Sequence, residues 1–294
     1  MLMPAQPAVL TPITRSPGYW ATVWHRFRRD PVAVGAGLVI LAIILVAIFA
    51  PYIAPQDPYR GMTLRRLRPP GTDGFPLGTD ELGRDMLSRL IYGARLSLFM
   101  GVTPVVLALF IGSTIGIIAG YVGGWVNTIL MRTIDVFFAF PSVLLAIALS
   151  GALGAGILNG LVSLTVVFIP PIARVAESVT TSVRSRDFVE AARASGARAL
   201  TIIRVQVLGN VLGPIFVYAM SLIAVSMILA SGLSFLGLGV KPPEPEWGLM
   251  LNTLRTAIYT QPLLCALPGL MIFATSISFN LLTDGLRSAM DIKA

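Results

Sequence analysis

Residues able to do bond chemistry are scarce in this chain. One histidine, His25, sits in a basic N-terminal stretch, and one cysteine, Cys265, lies inside an apolar run. A single thiol excludes an intrachain disulfide, and neither residue has the Cys/His company that a transition-metal site needs. No G-x-x-x-x-G-K-[ST] phosphate loop occurs. The nearest glycine-lysine stretch, Gly237 to Lys241, runs into Pro242-Pro243, which cannot open a helix in that register. No nucleophile, histidine and acid stand in a usable arrangement. The chain reads as a non-enzyme, with no metal and no cofactor of its own.

What the spacing does offer is a contact element, in Ser182 to Val207, SVRSRDFVEAARASGARALTIIRVQV. Asp187 stands where an N-cap would, and Glu190 three residues on completes a capping-box-like pattern. Phe188, Ala191, Ala192 and Ser195 then share one helical face. Gly196 is suited to end the helix in a left-handed conformation, and a second helical stretch restarts near Arg198. A short, stiff helix with alanines that permit close backbone approach can dock in a groove on another protein. An ordinary amphipathic connector would show the same pattern, so physics alone leaves both readings open.

Charged and amide residues near apolar runs come next, since such residues mark function by default. Arg132 and Asp135 are three apart and can pair on one helix face, as can Arg174 and Glu177; both read mainly as satisfied interfacial pairs. Asn210 and Asn280 can line a polar path or bond between helices. Thr79 is expected to cap a helix whose first turn holds Asp80 and Glu81. That helix is expected to lie solvated at the outer surface, with Arg84, Asp85 and Arg89 paired there. The Gly/Pro run from Gly232 to Gly248 is expected to turn the chain.

These residues must be positioned by elements that face lipid. The 294 residues are 55% hydrophobic and only 12% charged, about half the charged share of a soluble domain, and mean hydropathy is +0.80. The net charge of +8 comes mostly from arginines at the edges of apolar stretches, which fits membrane-flanking charge better than nucleic-acid binding. Met1 to Pro17 shows no removable signal pattern.

Five intervals lack Asp, Glu, Lys and Arg: 31–56, 96–131, 136–173, 205–240 and 256–283. A helix crosses a bilayer in about 20 residues, and the cluster Gly151, Gly154, Gly156, Asn159, Gly160 divides the third interval. Six spans follow, near 33–54, 95–119, 127–150, 157–176, 208–232 and 263–284. An even number of crossings puts Arg15, Arg26, Arg28 and Arg29 on the same side as Arg184, Arg186, Arg193, Arg198, Arg204, Arg287 and Lys293. The positive-inside rule makes that side cytoplasmic, although the 55–94 loop carries arginines too. Trp20, Trp24 and Phe27 beside Arg26, Arg28 and Arg29 suggest a short helix on the inner leaflet.

Glu190-Ala191-Ala192, then Gly196, then Val207-Leu208 resembles the EAA signature of ABC-importer permeases. Gly78-Thr79-Asp80-Glu81-Leu82-Gly83-Arg84-Asp85, Gly232-Leu233-Ser234-Phe235-Leu236-Gly237-Leu238-Gly239 with Glu246-Trp247-Gly248, and Phe279-Asn280-Leu281-Leu282 resemble the C-type permease of dipeptide and oligopeptide importers. Together they cover residues 20–291. The signature usually ends Leu-Pro where this chain has Leu208-Gly209, so the helix restart is expected to be less kinked.

The resemblance implies an all-α membrane protein of type I permease fold in a bacterial inner membrane, with both termini cytoplasmic. It implies a cytoplasmic segment 1–30, a first span and periplasmic loop 31–94, a permease core 95–285 with coupling loop 182–207, and a tail 286–294. Asp187, Phe188, Glu190, Ala191, Ala192 and Gly196 would contact the ATP-binding subunit. Partners implied are a B-type permease, two ATP-binding subunits, a periplasmic binding protein and a short peptide substrate. Nickel and glutathione importers share the motifs. A stand-alone secondary transporter is the rival from another class, but it wants mid-span carboxylates, and the charge-free intervals hold none.

Overall fold

The computed structural model describes residues 18–290. Expectations resting on Met1–Pro17, the Trp20 side chain and Lys293 lie outside the described residues. Among the described residues the regular structure is helical, with two isolated β-bridges, Thr72 to Phe75 and Thr79 to Asp85. Its α-helices are α1 (Tyr19–Phe27), α2 (Pro31–Ile48), α3 (Ala50–Ile53), α4 (Met86–Val122), α5 (Gly124–Phe138), α6 (Ser142–Leu153), α7 (Ile157–Arg184), α8 (Asp187–Ala194), α9 (Ala199–Ile202), α10 (Leu208–Phe235), α11 (Trp247–Leu254) and α12 (Pro262–Met290).

Local chemistry sets the ends of the crossings. Asp30 caps α2 by accepting from the Val32 and Ala33 N–H groups at 3.0 and 3.1 Å, with Pro31 at the first helical position, where its missing N–H costs nothing. Arg95 donates to the carbonyls of Ala47 and Ile48, satisfying the last turn of α2. Asp85 caps α4 through the Ser88 N–H at 2.8 Å. That helix runs 37 residues, about 55 Å, and stops at Gly123, whose φ of +71° suits glycine.

Five helices are long and apolar enough to cross a membrane, counting α9 with α10, and a sixth crossing exists if α5 and α6 form one span. This corrects the expected third span over 127–150: α5 and α6 meet at a bend of 86°. Pro141 explains it, because it lacks an N–H and pushes Phe140 away from helical torsions. The expected break after the third crossing is present, with Gly154 at φ +85° and Asn159 Nδ2 donating to the carbonyls of Leu153 and Gly154.

The crossings alternate in direction. Gly285 of α12 lies against Asp30 and Ala33, Gly213 of α10 against Met290, and Gly120 of α4 against Thr180 of α7. One end of the bundle therefore holds the start of α2, the ends of α4, α7 and α12, the start of α10, and α8. At the opposite end the 54–85 loop meets the start of α4, where Ser88 Oγ accepts from Gln56 N.

Burial follows the same logic. Met100, Leu164, Ile172, Ile215, Met227 and Leu264 are sealed inside, while Leu38, Leu41, Leu107, Phe110, Ile228 and Phe273 stand exposed, as a lipid-facing surface requires. The α4–α7 contact is the tightest: Gly112, Gly116 and Gly120 face the backbone of Ile169, Ala173 and Glu177, the close approach that small residues allow between membrane helices.

Candidate functional site

The α8 helix hangs from the bundle between the end of α7 and a π-helical turn, Ile203–Val207. The expected capping box is not formed. Arg186 is the N-cap residue, no side chain caps the helix, and Asp187 and Glu190 both lie within its first turn. The Arg186 carbonyl is used instead, accepting from the N–H groups of Val189 and Glu190, and the two carboxylates complement the positive end of the helix dipole.

The C-terminal end is as expected. Gly196 has φ +79°, its N–H donates to Arg193 O, and the Ala197 N–H donates to Ala192 O at 3.2 Å, the double closure of a left-handed glycine cap.

The helix is anchored by Val189, fully buried, with Ala192 and Ala197 half-buried against the core. Phe188, Glu190, Ala191 and Ser195 point outward; Phe188 is 42% exposed. The expected face therefore divides, with Ala192 turned inward. Val189 was missed because the pattern put Phe188, Ala191, Ala192 and Ser195 on one face; an apolar β-branched residue three before Ala192, on its side of the helix, was the available signal. Beyond α8 the chain passes from α9 through the π turn into α10 as one crossing, Ala199–Phe235, in keeping with Gly209 in place of proline.

The polar path residues stay apart. Asn210 donates to its own helix at Gln206 O, 2.6 Å away. Asn280 lines a cavity of about 440 Å³ with Ile228, Ile272, Phe273 and Ser276. From Asn210 to the level of Ile228 is about 27 Å along α10.

The intrahelical pairs are partly rearranged. Arg132 and Asp135 do pair, at 3.9 Å. Arg174 does not pair with Glu177; it reaches across to Asp135 on α5, and Glu177 accepts from Asn127 Nδ2 at 2.7 Å and Thr181 Oγ1 at 3.2 Å.

At the opposite end the expected solvated helix is a buried clamp. Thr79 is sealed in the loop, donating to Arg65 O and accepting from Arg68 N. Asp80, 3% exposed, pairs with Arg84 at 2.7 Å and Arg89 at 3.2 Å. Arg89 also donates to the carbonyls of Pro58 and Pro243, so the 54–85 loop, α4 and the α10–α11 connection are tied together. The Gly232–Gly248 run does more than turn the chain. Buried Glu246 caps α11 by accepting from the Gly248 and Leu249 N–H groups, and takes a hydrogen bond from Ser97 Oγ of α4. Burial pushes its carboxyl above the ordinary value, against those hydrogen bonds. Trp247 is fully buried and donates Nε1–H to Leu90 O at 3.0 Å.

Alternating apolar crossings, a broken third crossing and a projecting loop helix define a multi-pass helical membrane protein. Residues 112–293 match the family described as "Binding-protein-dependent transport system inner membrane component", and residues 18–70 match "N-terminal TM domain of oligopeptide transport permease C". Among curated relatives, the glutathione transport system permease protein GsiD of Shigella flexneri is 44% identical over 98% of this chain and 95% of its own length. Its counterpart from Pectobacterium atrosepticum is 40% identical with the same coverage. A chain of the MetNI methionine ABC transporter, solved in inward-facing conformations, aligns at TM-score 0.57 and 17% identity over 69% of this chain and 97% of its own; that likeness shows the fold. The chain belongs to the binding-protein-dependent inner-membrane component family, and is a multi-pass inner-membrane permease subunit of an ABC importer.

Proposed function

We propose that this chain is the C-type half of a permease pair that moves short peptides into the cell by alternating access. Sequence likeness carries the substrate class: relatives 40% and 44% identical over 98% of the chain are named for glutathione transport, and glutathione is a tripeptide. Two separate ATP-binding subunits supply the energy, and a B-type permease completes the path. The end bearing α8 is cytoplasmic, and the end bearing the Asp80 clamp and α11 receives the binding protein.

In this reading α8 is the docking element, with Asp187, Phe188, Glu190, Ala191, Ala192 and Gly196 at its centre. Its free outward face and firm inward anchor support that role, because a lever needs both. Asn210 and Asn280 would border the path at different depths.

The test is reconstitution with the co-purifying ATPases and binding protein, followed by ATP-dependent uptake of labelled glutathione and dipeptides. Glu190→Lys is expected to abolish uptake while insertion stays normal. Normal uptake by that variant would remove α8 from the coupling role, and a cysteine at Ala192 labelled from outside intact cells would invert the orientation. Uptake of nickel without peptide would replace the substrate class.

A further inference from the structure

An acid and two arginines meet where the third crossing breaks. Asp135 of α5 is held by Arg132, one turn away, and by Arg174 of α7. The Arg174 guanidinium also lies over the Phe138 ring, 5.3 Å from its centroid. Phe138 in turn lines a cavity of about 210 Å³ at the bend, together with Phe137, Phe140, Val167 and Phe168. The charged cluster and the apolar cavity share a wall.

Within the triad one carboxylate faces two guanidiniums, and the Glu177 carboxylate bonds Asn127 and Thr181 rather than either arginine. The cluster is also open, with side-chain exposures of 81% for Arg132, 50% for Arg174 and 38% for Asp135. Arg174 lies about 15 Å from the end of α7, whereas Asp135 stands in the last turn of α5, three residues before Phe138. Exposed ionised groups beside an apolar crossing are costly against lipid and belong to a cavity or a polar path.

Building on the peptide-import reading, we propose that Arg132, Asp135 and Arg174 form a transit subsite for a short anionic peptide with one ammonium and two carboxylates. Asp135 accepts from the ammonium, the two guanidiniums donate to the carboxylates, and an apolar side chain enters the cavity lined by Phe137, Phe138 and Phe140. When the subsite is empty, Asp135 holds both guanidiniums; the peptide exchanges those two ion pairs for three, and its net charge of −1 offsets the extra positive charge of the triad.

The test uses the complete reconstituted importer and compares initial uptake of glutathione with that of its glycyl-amide, which lacks one carboxylate. The wild type is expected to prefer the free acid. Arg132→Gln and Arg174→Gln are each expected to reduce that preference about tenfold, the worth of one charge-assisted hydrogen bond, whereas Arg132→Lys retains most of it. A structural role would lower uptake of both compounds equally, so an unchanged preference in both glutamine variants overturns the subsite even if total uptake falls. A wild type that transports neither compound overturns the peptide-import reading itself, which is a separate result.

Discussion

Gly116 offers a decisive test of the packing, because two well-known effects oppose each other there. Replacing a mid-helix glycine by alanine normally stabilises a helix by about 1 kcal/mol. At Gly116 the new Cβ would lie 2.6 Å from Ala176 Cβ, 2.8 Å from Glu177 N, and closer still to the Ala173 carbonyl oxygen. Two of those obstacles are backbone atoms of a packed helix, so no side chain can swing aside, and overpacking costs about 1–3 kcal/mol. Obstacles all under 3.0 Å put the cost in the upper half of that range, about 2–3 kcal/mol, so the clash wins and Gly116→Ala should lose about 1–2 kcal/mol net. Gly112→Ala and Gly120→Ala should lose less, since their closest obstacles are 2.9 Å and 2.7 Å away. Gly151→Ala and Gly232→Ala are controls, because nothing lies within 4 Å of a Cβ at either position. Thermal unfolding of the purified protein in one detergent should give Gly116→Ala a Tm a few degrees below wild type, at about 2–4 °C per kcal/mol. The controls should match or exceed wild type. A Gly116→Ala variant as stable as Gly151→Ala would refute the close α4–α7 seam.

Asp80→Ala strands Arg84 and Arg89 as buried unpaired cations, which should cost about 3–5 kcal/mol and show as loss of folded protein on size-exclusion chromatography; Asp80→Asn should be milder. Glu246 has a carboxyl raised above the ordinary 4.5 chiefly by burial. Its contribution to stability is therefore present below that value and is lost as pH rises through the raised one. Tm of the wild type should fall over that window, and Glu246→Gln should flatten the slope even though it weakens the α11 cap; equal slopes would dismiss the titration. Glu190→Lys should leave stability within about 0.5 kcal/mol of wild type while uptake stops, since Glu190 is exposed.

Five of the crossings and their order were legible because hydrocarbon thickness imposes helices of near-fixed length, and backbone polar groups must be satisfied within them. Gly196 was legible for a local reason: a glycine after an alanine-rich turn closes the helix using atoms within five residues. The outer clamp was not. Arg89 and Glu246 look solvated in the sequence, yet Arg89 is satisfied by Pro58 and Pro243 and Glu246 by Ser97. No periodicity connects positions so far apart. Arg174 teaches the same lesson inside the bundle. Spacing named Glu177 as a permitted partner, but spacing within one helix carries no information about Asp135 on another. Pro141 is a different case, since a proline inside an apolar run is a visible breaker and the absence of charge masked it.

These details bear on how force would travel if α8 is the docking element. A push on α8 reaches α7 directly and α10 through the π turn, because α8 contacts both α7 and that turn and its Val189 is sealed in the core. The glycine seam joins α4 to the part of α7 beyond Pro171 through Gly116 and Gly120, so those two segments should move as one body. Compliance has to lie elsewhere. The backbone provides it at Pro170-Pro171 in α7 and at the 86° bend between α5 and α6, where internal hydrogen bonding is already interrupted. Both breaks border the same cavity, and the Asp135–Arg174 pair spans from one broken element to the other. A substrate that separates that pair would therefore loosen the bundle at the point where the two breaks meet, which links occupancy of the path to the motion that α8 drives.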